Sequence, residues 1–210
     1  MQDIQLSEEQ QHFIDAAKSG KNVLVDACIG SGKTTAIQKL CEQLPLSKKV
    51  LYLTYNRLLK IDARDKIHRR NVTVTNYHGY AYMLLKRNGI SSGIRDLIQT
   101  LLRSDIRFPL VDVLIIDEYQ DIEQEFAEML WKIKEANPLM QIVAVGDMQQ
   151  KIYDKTTLNV SEFIDEFLGA YERLKFTLCF RLSSAHAAML GRIWKKEIIG
   201  VNSNCIVEKM

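Results

Sequence analysis

Short apolar runs alternate with helical patterns along this 210-residue chain, and this alternation constrains the fold more than any other feature. Continuous apolar runs indicate strands that are buried on both faces, and helices between them indicate parallel connections. Strands are predicted at 22–27, 49–54, 71–75, 111–117, 141–147 and 175–180. Helices are predicted at 8–18, 33–44, 57–68, 79–87, 94–103, 123–136 and 161–169. We therefore predict an α/β fold in which helices cover both faces of a parallel sheet.

The composition is that of an ordinary globular protein, with 47% hydrophobic and 26% charged residues. A net charge of +2 does not identify a nucleic-acid partner, so only local charge can do so. The four cysteines lack metal-like or disulfide-like spacing, which favours a reducing cytoplasm. No apolar stretch approaches the roughly 18 residues of a membrane span, and the polar start MQDIQLSEEQ is not a signal peptide. We expect a cytoplasmic protein without a membrane partner.

The stretch ACIGSGKTT follows the first predicted strand and opens a helix. It fits the phosphate-binding pattern G-x-x-x-x-G-K-[ST], except that Ala27 replaces the first glycine. Gly30 and Gly32 allow backbone N–H groups to curl round phosphate oxygens, Lys33 can reach the β- and γ-phosphates, and the Thr34 hydroxyl can hold Mg²⁺. The alternative is a glycine-rich turn that only begins a helix, but every part of the motif occurs in the required order. Nucleotide binding is predicted for Ala27, Cys28, Ile29, Gly30, Ser31, Gly32, Lys33, Thr34 and Thr35.

The stretch VLIIDEYQD, residues 113–121, ends an apolar run in adjacent carboxylates. In P-loop hydrolases an aspartate at a strand end holds Mg²⁺, and a neighbouring carboxylate can polarise the attacking water. Asp117 is therefore the candidate metal ligand and Glu118 the candidate general base, whereas Asp121 is placed to cap the following helix. The alternative is a solvated acidic turn, which suits Asp117 poorly because the run before it is typical of a buried strand.

ACIGSGKTT, DEYQD and a further stretch, VGDMQQKIY at 145–153, resemble motifs I, II and III of the UvrD/Rep-type superfamily 1 DNA helicases. LSEEQ near the start resembles the adenine-reading Q motif, LTYNR at 53–57 resembles motif Ia, TNYHG at 75–79 resembles the T-x-H motif, and LCFRLS at 178–183 resembles motif IV. The resemblance covers most of residues 4–183, and the form DEYQD favours this branch over the 5′-to-3′ enzymes. It implies a RecA-like domain that binds ATP and Mg²⁺, hydrolyses ATP and moves 3′-to-5′ on single-stranded DNA.

The same resemblance assigns roles to four further residues. Gln10 would hydrogen-bond the adenine edge, although Ser7-x-x-Gln10 also fits a capping box. Gln150 would sense the γ-phosphate or order the attacking water, and Arg181 would stabilise charge on the γ-phosphate. Phe180 would stack on the base, or it is an ordinary core residue. Lys33, Glu118, Gln150 and Arg181 are therefore the candidate catalytic residues.

Nucleic-acid contacts are expected at the ends of the second and third strands, where ligands of open α/β sheets collect. The candidates are Thr54, Tyr55, Asn56, Arg57, Thr75 and His78. The adjoining segment 56–70 is rich in Arg and Lys, which suits phosphates but is also typical of a solvated basic helix. His78 could instead be a satisfied buried histidine. Asp154 and Lys155 stand where the family has an aromatic-basic cluster, which argues against strong base stacking there. The sequence does not distinguish DNA from RNA, because both offer phosphates and bases.

The resemblance predicts a RecA-like domain 1A at 1–155, with a reduced helical insertion at 79–110, followed at 156–210 by a connector and the incomplete start of a second RecA-like domain. Motifs V and VI are absent from the sequence, so a partner or a further segment is expected to supply them for translocation. Two other interpretations stay open. One is a regulatory ATP- and nucleic-acid-binding module without unwinding activity. The other is a small P-loop kinase, although no segment resembles a phosphoacceptor pocket or an Arg-rich lid.

Overall fold

A computed structural model describes residues 5–55, 57–151 and 158–203. The strands are β1 (Asn22–Ala27), β2 (Val50–Thr54), β3 (Val72–Asn76), β4 (Val113–Asp117), β5 (Gln141–Gly146), β6 (Tyr171–Phe176), β7 (Leu178–Cys179) and β8 (Ile199–Gly200). The α-helices are α1 (Glu8–Lys18), α2 (Lys33–Gln43), α3 (Arg57–Lys66), α4 (Tyr77–Arg87), α5 (Leu97–Arg103), α6 (Gln124–Ala136), α7 (Val160–Leu168) and α8 (Ser184–Trp194). Single 3-10 turns lie at Ile94–Asp96, Tyr119–Asp121 and Met148–Gln150.

Six strands form one parallel sheet in the order β3-β2-β4-β5-β1-β6. The three central apolar runs are buried along their length, because helices cover both faces. One core lies between the sheet and helices α4, α5, α6 and α7. The other core lies between the opposite face and helices α1, α2 and α3. The predicted α/β fold with a parallel sheet covered on both faces is confirmed.

All parallel strands end at the same edge of the sheet, and this geometry places the motifs together. The loops after β1, β4 and β5 begin beside one another, since β1 pairs with β5 and β5 pairs with β4. The motifs ACIGSGKTT and DEYQD occupy the first two of these loops, and the described part of VGDMQQKIY, residues 145–151, occupies the third. The sheet order therefore brings motifs that are far apart in the chain to one edge.

The last predicted strand, 175–180, differs from the structure. Residues 171–176 form β6 at the edge of the sheet, paired in parallel with β1, and 178–179 form a separate short strand. An edge strand tolerates polar side chains because one side is open to water, so Glu172, Arg173 and Lys175 hid the strand from a search for apolar runs. The predicted domain boundary after Lys155 lies outside the described residues. Because β6 belongs to the first sheet, any second domain in this chain begins after Phe176.

Strands β7 and β8 pair in parallel around helix α8, forming a small unit that the sequence did not predict. A separate apolar cluster of Cys28, Cys179, Ala187 and Ile198 joins this unit to the loop after β1. Between β3 and β4 the structure has only α4, α5 and a 3-10 turn, in the place of the predicted helical insertion. None of the helices in the described part of the chain has the length and apolar character needed to cross a bilayer.

Candidate nucleotide site

The loop between β1 and α2 has a backbone that only glycine accommodates at two positions. Gly30 and Gly32 have φ angles of +66° and +76°, in the left-handed region. A Cβ at Gly30 would lie 3.0 Å from the Cβ and Cγ of Arg181, and a Cβ at Gly32 would lie 2.6 Å from Nε2 of Gln10. The loop is thus shaped for close approach, and α2 begins at Lys33 with its N–H groups facing the same edge.

Side chains within this loop contribute differently. Ala27 and Cys28 are fully buried, so these predicted nucleotide-binding residues can serve only through their backbone. Burial, reinforced by the neighbouring Cys179, raises the pKa of the Cys28 thiol to about 12, so this cysteine is not a thiolate nucleophile. The Ser31 hydroxyl is buried without a hydrogen-bond partner in the described residues. An unpaired donor in a phosphate loop favours a ligand that accepts hydrogen bonds.

Asp117 ends β4 and is 3% exposed. Its Oδ2 accepts a hydrogen bond of 2.7 Å from the Tyr52 hydroxyl, whereas its buried Oδ1 has no partner among the described residues. Burial and the charge of Glu118 raise the pKa of Asp117 to about 7, and the Tyr52 hydrogen bond and the Lys33 charge oppose this rise. A buried carboxylate oxygen without a partner, at the end of a strand, fits Mg²⁺, which prefers one or two carboxylates plus phosphate oxygens.

Glu118 follows directly in a left-handed conformation, with φ 53° and ψ 52°. A non-glycine residue rarely adopts this conformation, which costs on the order of 1–3 kcal/mol and tends to occur at functional sites. Its Oε1 lies 3.4 Å from Nζ of Lys33, and its Oε2 accepts a 2.9 Å hydrogen bond from Nε2 of Gln120. The lysine side chain of the pair is 11% exposed and the glutamate side chain 19%. The candidate phosphate-binding lysine and the candidate general base are therefore in direct contact.

Asp121, expected to cap the helix after DEYQD, does not do so. It lies in the 3-10 turn 119–121, and α6 begins later, with Glu123 as its N-cap residue. The prediction was wrong because the left-handed Glu118 and the turn after it insert extra residues between strand and helix. The alternative of a solvated acidic turn is also wrong for Asp117, which is buried.

The loop after β5 carries a fully buried carboxylate, Asp147. Its Oδ2 accepts a 2.6 Å hydrogen bond from Nε2 of Gln150, and its backbone N–H donates to Oε1 of Gln120 over 2.9 Å. Since Gln120 also donates to Glu118, a chain of hydrogen bonds connects the candidate base to the candidate phosphate sensor. Gln150 is held in one orientation by this chain, although the structure shows no contact between Gln150 and Glu118.

A cleft of about 300 Å³ opens beside the phosphate loop. Its walls are Gln5, Gln10, Gly30, Gly32, Thr35, Phe180 and Arg181. Phe180 is 44% exposed, so it is not the core residue that the sequence also allowed. Arg181 is exposed, and the described residues give its guanidinium no ion-pair partner. An exposed aromatic ring and a free cation beside a phosphate loop suit the base and phosphate ends of a nucleotide.

Gln10 forms the capping box that its spacing predicted, accepting from the Ser7 backbone while its own N–H donates to the Ser7 hydroxyl. Its Nε2 also donates to the Ser31 carbonyl oxygen over 2.9 Å, which ties α1 to the phosphate loop. The capping alternative is thus present in the structure, and contact with adenine stays a prediction.

Glu9, the residue before Gln10, joins α1 to the strand that follows β6. Its carboxylate accepts hydrogen bonds from the backbone N–H of Thr177 at 2.9 Å and from the Thr177 hydroxyl at 2.6 Å. Three residues further along, the Phe180 backbone N–H donates to the Gly30 carbonyl oxygen over 2.9 Å. These bonds fix the distance between the two sides of the cleft.

The predicted nucleic-acid residues do not share one environment. Thr54 and Thr75 are buried, so their side chains would need neighbouring groups to move before they could touch a ligand. The Tyr55 hydroxyl donates to Oε1 of Glu123, and Arg57 is exposed at the start of α3. Asn56, Asp154 and Lys155 lie outside the described residues. His78 is not a buried histidine, because its side chain is 41% exposed, with Nε2 3.8 Å from Oε1 of Glu125.

Positive charge is concentrated on one side of α3. Burial, followed by the charges of Arg64 and Arg57, lowers the pKa of Lys60. Arg64 also donates from Nε to the Val74 carbonyl oxygen over 2.8 Å, which holds the helix against β3. This basic surface of Arg57, Lys60 and Arg64 lies near the ends of β2 and β3, where the sequence predicts nucleic-acid contacts.

Three residues at the site were missed by sequence reasoning. Tyr52 could have been found from a hydroxyl on an otherwise apolar strand, because a buried tyrosine usually requires a hydrogen-bond partner. Gln120 lies within DEYQD but was given no role. Lys196 binds Asp26 and Asp147 from a segment with no motif, and no signal in the sequence marks it.

The sequence matches a known family, an AAA domain (AAA_19), over residues 10–156. The chain belongs to this family. The matched residues begin at Gln10 and continue past β5. They therefore include all three motifs, ACIGSGKTT, DEYQD and VGDMQQKIY. A comparison with curated proteins gave no match.

Solved structures of Pif1 helicases share the fold of this AAA domain. Pif1 from Bacteroides in complex with ADP-AlF3 and ssDNA superimposes with a TM-score of 0.56 at 18% identity, over 92% of this chain and 47% of that one. Bacteroides Pif1 with ADP-AlF4 gives 0.56 at 19%, over 90% and 46%. Pif1 from Candida albicans gives 0.50 at 20%, over 82% and 40%. This chain spans less than half the length of these proteins. The fold that the motif resemblance implied is therefore confirmed, both by the AAA-domain match and by the Pif1 helicase structures.

Proposed function

We propose that the chain is the ATP-binding and ATP-hydrolysing module of a UvrD-like DNA helicase, which couples hydrolysis to movement on single-stranded DNA. One observation carries the proposal. Lys33 of the phosphate loop meets Glu118 at 3.4 Å, beside the unpaired Oδ1 of Asp117. This arrangement supports the proposal, because the candidate phosphate-binding cation, metal ligand and general base lie at one edge of the sheet, as ATP hydrolysis requires.

The contact between Lys33 and Glu118 suggests how a nucleotide prepares the site. Phosphate oxygens compete with Glu118 for the lysine ammonium, because they carry more negative charge. Once Lys33 turns to the phosphates, the Glu118 carboxylate is free to accept a proton from water. Thr34 and Asp117 would hold Mg²⁺, which neutralises phosphate charge when it is bound.

The remaining candidates act on charge and position. Gln150, oriented by Asp147, would contact the γ-phosphate or the water, and Arg181 would stabilise the charge that develops there. Phe180 and Gln10 would hold the adenine in the 300 Å³ cleft. The basic surface on α3, with Tyr55 and His78 beside it, would contact the phosphates and bases of single-stranded DNA.

The UvrD/Rep-type branch, and with it 3′-to-5′ movement, depends on the form DEYQD alone. The Pif1 neighbours belong to another branch of superfamily 1, and a shared fold at this identity does not separate the branches. A partner or further segment carrying motifs V and VI is part of the proposal, as is a cytoplasmic location.

ATP turnover measured with and without single-stranded DNA tests the function. Lys33→Ala is expected to abolish nucleotide binding, whereas Glu118→Gln is expected to retain binding and to slow turnover about 10²- to 10⁴-fold. Lys39→Ala on the same helix and the exposed Glu128→Gln are the matched controls, and both should behave like the unmodified chain.

Normal hydrolysis by Glu118→Gln would remove Glu118 as the base. Nucleotide binding without turnover, with or without DNA, would support the regulatory module instead. Phosphoryl transfer from ATP to a nucleoside, in place of DNA-stimulated hydrolysis, would identify a small kinase and overturn the proposal.

A further inference from the structure

Lys196, two residues after α8, places its ammonium among four oxygen atoms at the carboxyl edge of the sheet. Nζ lies 2.6 Å from Oδ1 of Asp26, 2.8 Å from Oδ1 of Asp147, 3.1 Å from the Ala27 carbonyl oxygen and 3.5 Å from Oε1 of Gln149. Its side chain is 10% exposed. A lysine this deeply placed is held by its partners rather than by solvent.

The partner Asp147 is fully buried, and a buried carboxylate needs a cation or several hydrogen bonds to remain charged. In the part of the chain that the structure describes, Lys196 is the one cation in ion-pair contact with Asp147. The segment from α8 to β8 is therefore fastened to the ends of β1 and β5 by an electrostatic contact, in addition to the small apolar cluster around Cys179.

The same carboxylate holds the candidate phosphate sensor. Asp147 binds Lys196 through Oδ1 and Gln150 through Oδ2. A shift of this carboxylate would therefore change the position of both side chains. Through the Asp147 backbone N–H and Gln120, the contact continues to Glu118. On the other side, Asp26 is the last residue but one of β1 and leads into the phosphate loop.

We propose that Lys196 is a positioning residue that couples the segment α8–β8 to the γ-phosphate side of the nucleotide site. It acts through Asp147 on Gln150 and does not touch the nucleotide. Binding of ATP, which engages Gln150, would change how tightly the segment is held, and ADP, which lacks the γ-phosphate, would not. This inference rests on the proposed ATPase function.

Lys196→Met and Lys195→Met in the complete 210-residue chain form a matched pair. Lys195 is adjacent and exposed, and no hydrogen bond or ion pair of its side chain is present in the described structure. We expect Lys196→Met to lower kcat for ATP at least about tenfold, since small misplacements of positioned groups cost this much. KM should stay within about twofold, because the nucleotide loses no direct contact. Lys195→Met should leave both constants unchanged.

Hydrogen exchange of residues 184–200 supplies a second readout. A purely structural role of Lys196 would not produce a difference in exchange between the ATP analogue and ADP. In the unmodified chain, a non-hydrolysable ATP analogue should change exchange in this segment and ADP should not. In Lys196→Met this difference should disappear, and exchange should be faster without nucleotide. Lys196→Arg, which keeps the charge, should partly restore kcat. If Lys196→Met fails to fold, Asp26→Asn removes one partner while Asp147 remains paired, and an intermediate loss of kcat is expected.

Wild-type values for Lys196→Met in both readouts would overturn the proposal. An equal loss of affinity for ADP and for the ATP analogue would also overturn it, because that outcome indicates a general collapse of the site. If the unmodified chain neither binds nor hydrolyses ATP, the proposed function fails. In that case, unchanged exchange at 184–200 in Lys196→Met without nucleotide would separately refute the anchoring contact.

Discussion

The Tyr52 hydroxyl donates a 2.7 Å hydrogen bond to Oδ2 of Asp117 from the neighbouring strand, while Oδ1 of the same carboxylate is buried and has no hydrogen-bond partner among the described residues. One of the two carboxylate oxygens of Asp117 thus has a hydrogen-bond partner among the described residues, and the other does not. Burial and the charge of Glu118 raise the pKa of Asp117 to about 7, against an ordinary value of 3.8. The charged form of Asp117 is therefore costly without a cation beside it, which supports the proposed Mg²⁺ site.

This cost predicts that Asp117→Asn stabilises the nucleotide-free protein at alkaline pH. A raised carboxyl pKa contributes stability that is fully present below the unfolded value of 3.8 and is lost as pH rises through about 7. The asparagine variant avoids this loss, so its free energy of unfolding should exceed that of the unmodified chain by roughly 2–4 kcal/mol at pH 8, and the gap should be clearly smaller at pH 5, closing only below the unfolded pKa of 3.8. Thermal unfolding at both pH values measures it. The exposed Asp62→Asn is the control, and a gap that does not change with pH would contradict the prediction.

Gly30→Ala should remove nucleotide binding by closing the phosphate loop. The new Cβ combines a positive φ with a 3.0 Å approach to the Arg181 side chain. Gly20→Ala is the matched control, because its φ is +87° and nothing lies within 4 Å of the added Cβ. The control should lose about 1 kcal/mol of stability from backbone strain and keep its nucleotide affinity. Equal affinities in the two variants, measured by fluorescence titration, would show that the close contact at Gly30 is unimportant.

Phe180→Ala should weaken the binding of adenine nucleotides. Stacking of a base on an aromatic ring contributes about 1–3 kcal/mol, so we expect an increase in Kd of about 5- to 150-fold. Inorganic triphosphate has no base, and its affinity should not change. Leu139→Ala removes a surface side chain that is 98% exposed and serves as the control. A parallel loss for ATP and triphosphate would mean that Phe180 shapes the phosphate loop instead of holding the base.

Replacing Arg57 and Lys60 by alanine should weaken binding of single-stranded DNA in a salt-dependent way. Each phosphate contact releases counterions, so log K falls as log salt rises. Loss of two contacts should make this negative slope less steep by about 1.4. Lys86→Ala with Lys132→Ala makes the same change in net charge on other surfaces. If both double variants lower the slope equally, the basic surface on α3 has no special part in binding.

The fold and the phosphate loop could be predicted because their signals are local. A central strand is recognised from its apolar run, and the phosphate loop is recognised from its glycines and Lys33. Both signals lie within a short stretch of sequence. The edge strand β6 was displaced in the prediction because its exposed side chains carry no apolar pattern. Asp121 was misassigned because Glu118 adopts a left-handed conformation and a 3-10 turn follows it, which no pattern in the sequence indicates.

The partners in contacts between distant segments could not be predicted, even where one residue of the pair, such as Tyr52, carries a signal. Lys196 lies 170 positions from Asp26 and 49 from Asp147 in the sequence. The residues next to it in the sequence are ordinary for a solvated lysine. Tyr52 reaches Asp117 only because β2 and β4 are neighbours in the sheet, an order that the sequence does not state. The site is therefore partly a property of topology, and motif spelling describes only the residues that each loop contributes.

The Glu9–Thr177 contact has a consequence for the newly made chain. The cleft combines α1, the phosphate loop and Phe180, and the strand between Phe176 and Phe180 is fixed by Glu9 and by the Gly30 carbonyl. A chain still emerging from the ribosome has the loop after β1 early, but it lacks one wall of the cleft until residue 180 has been added. Under the proposed function, an adenine nucleotide would bind only after that point, and its binding would favour the folded chain over every shorter intermediate.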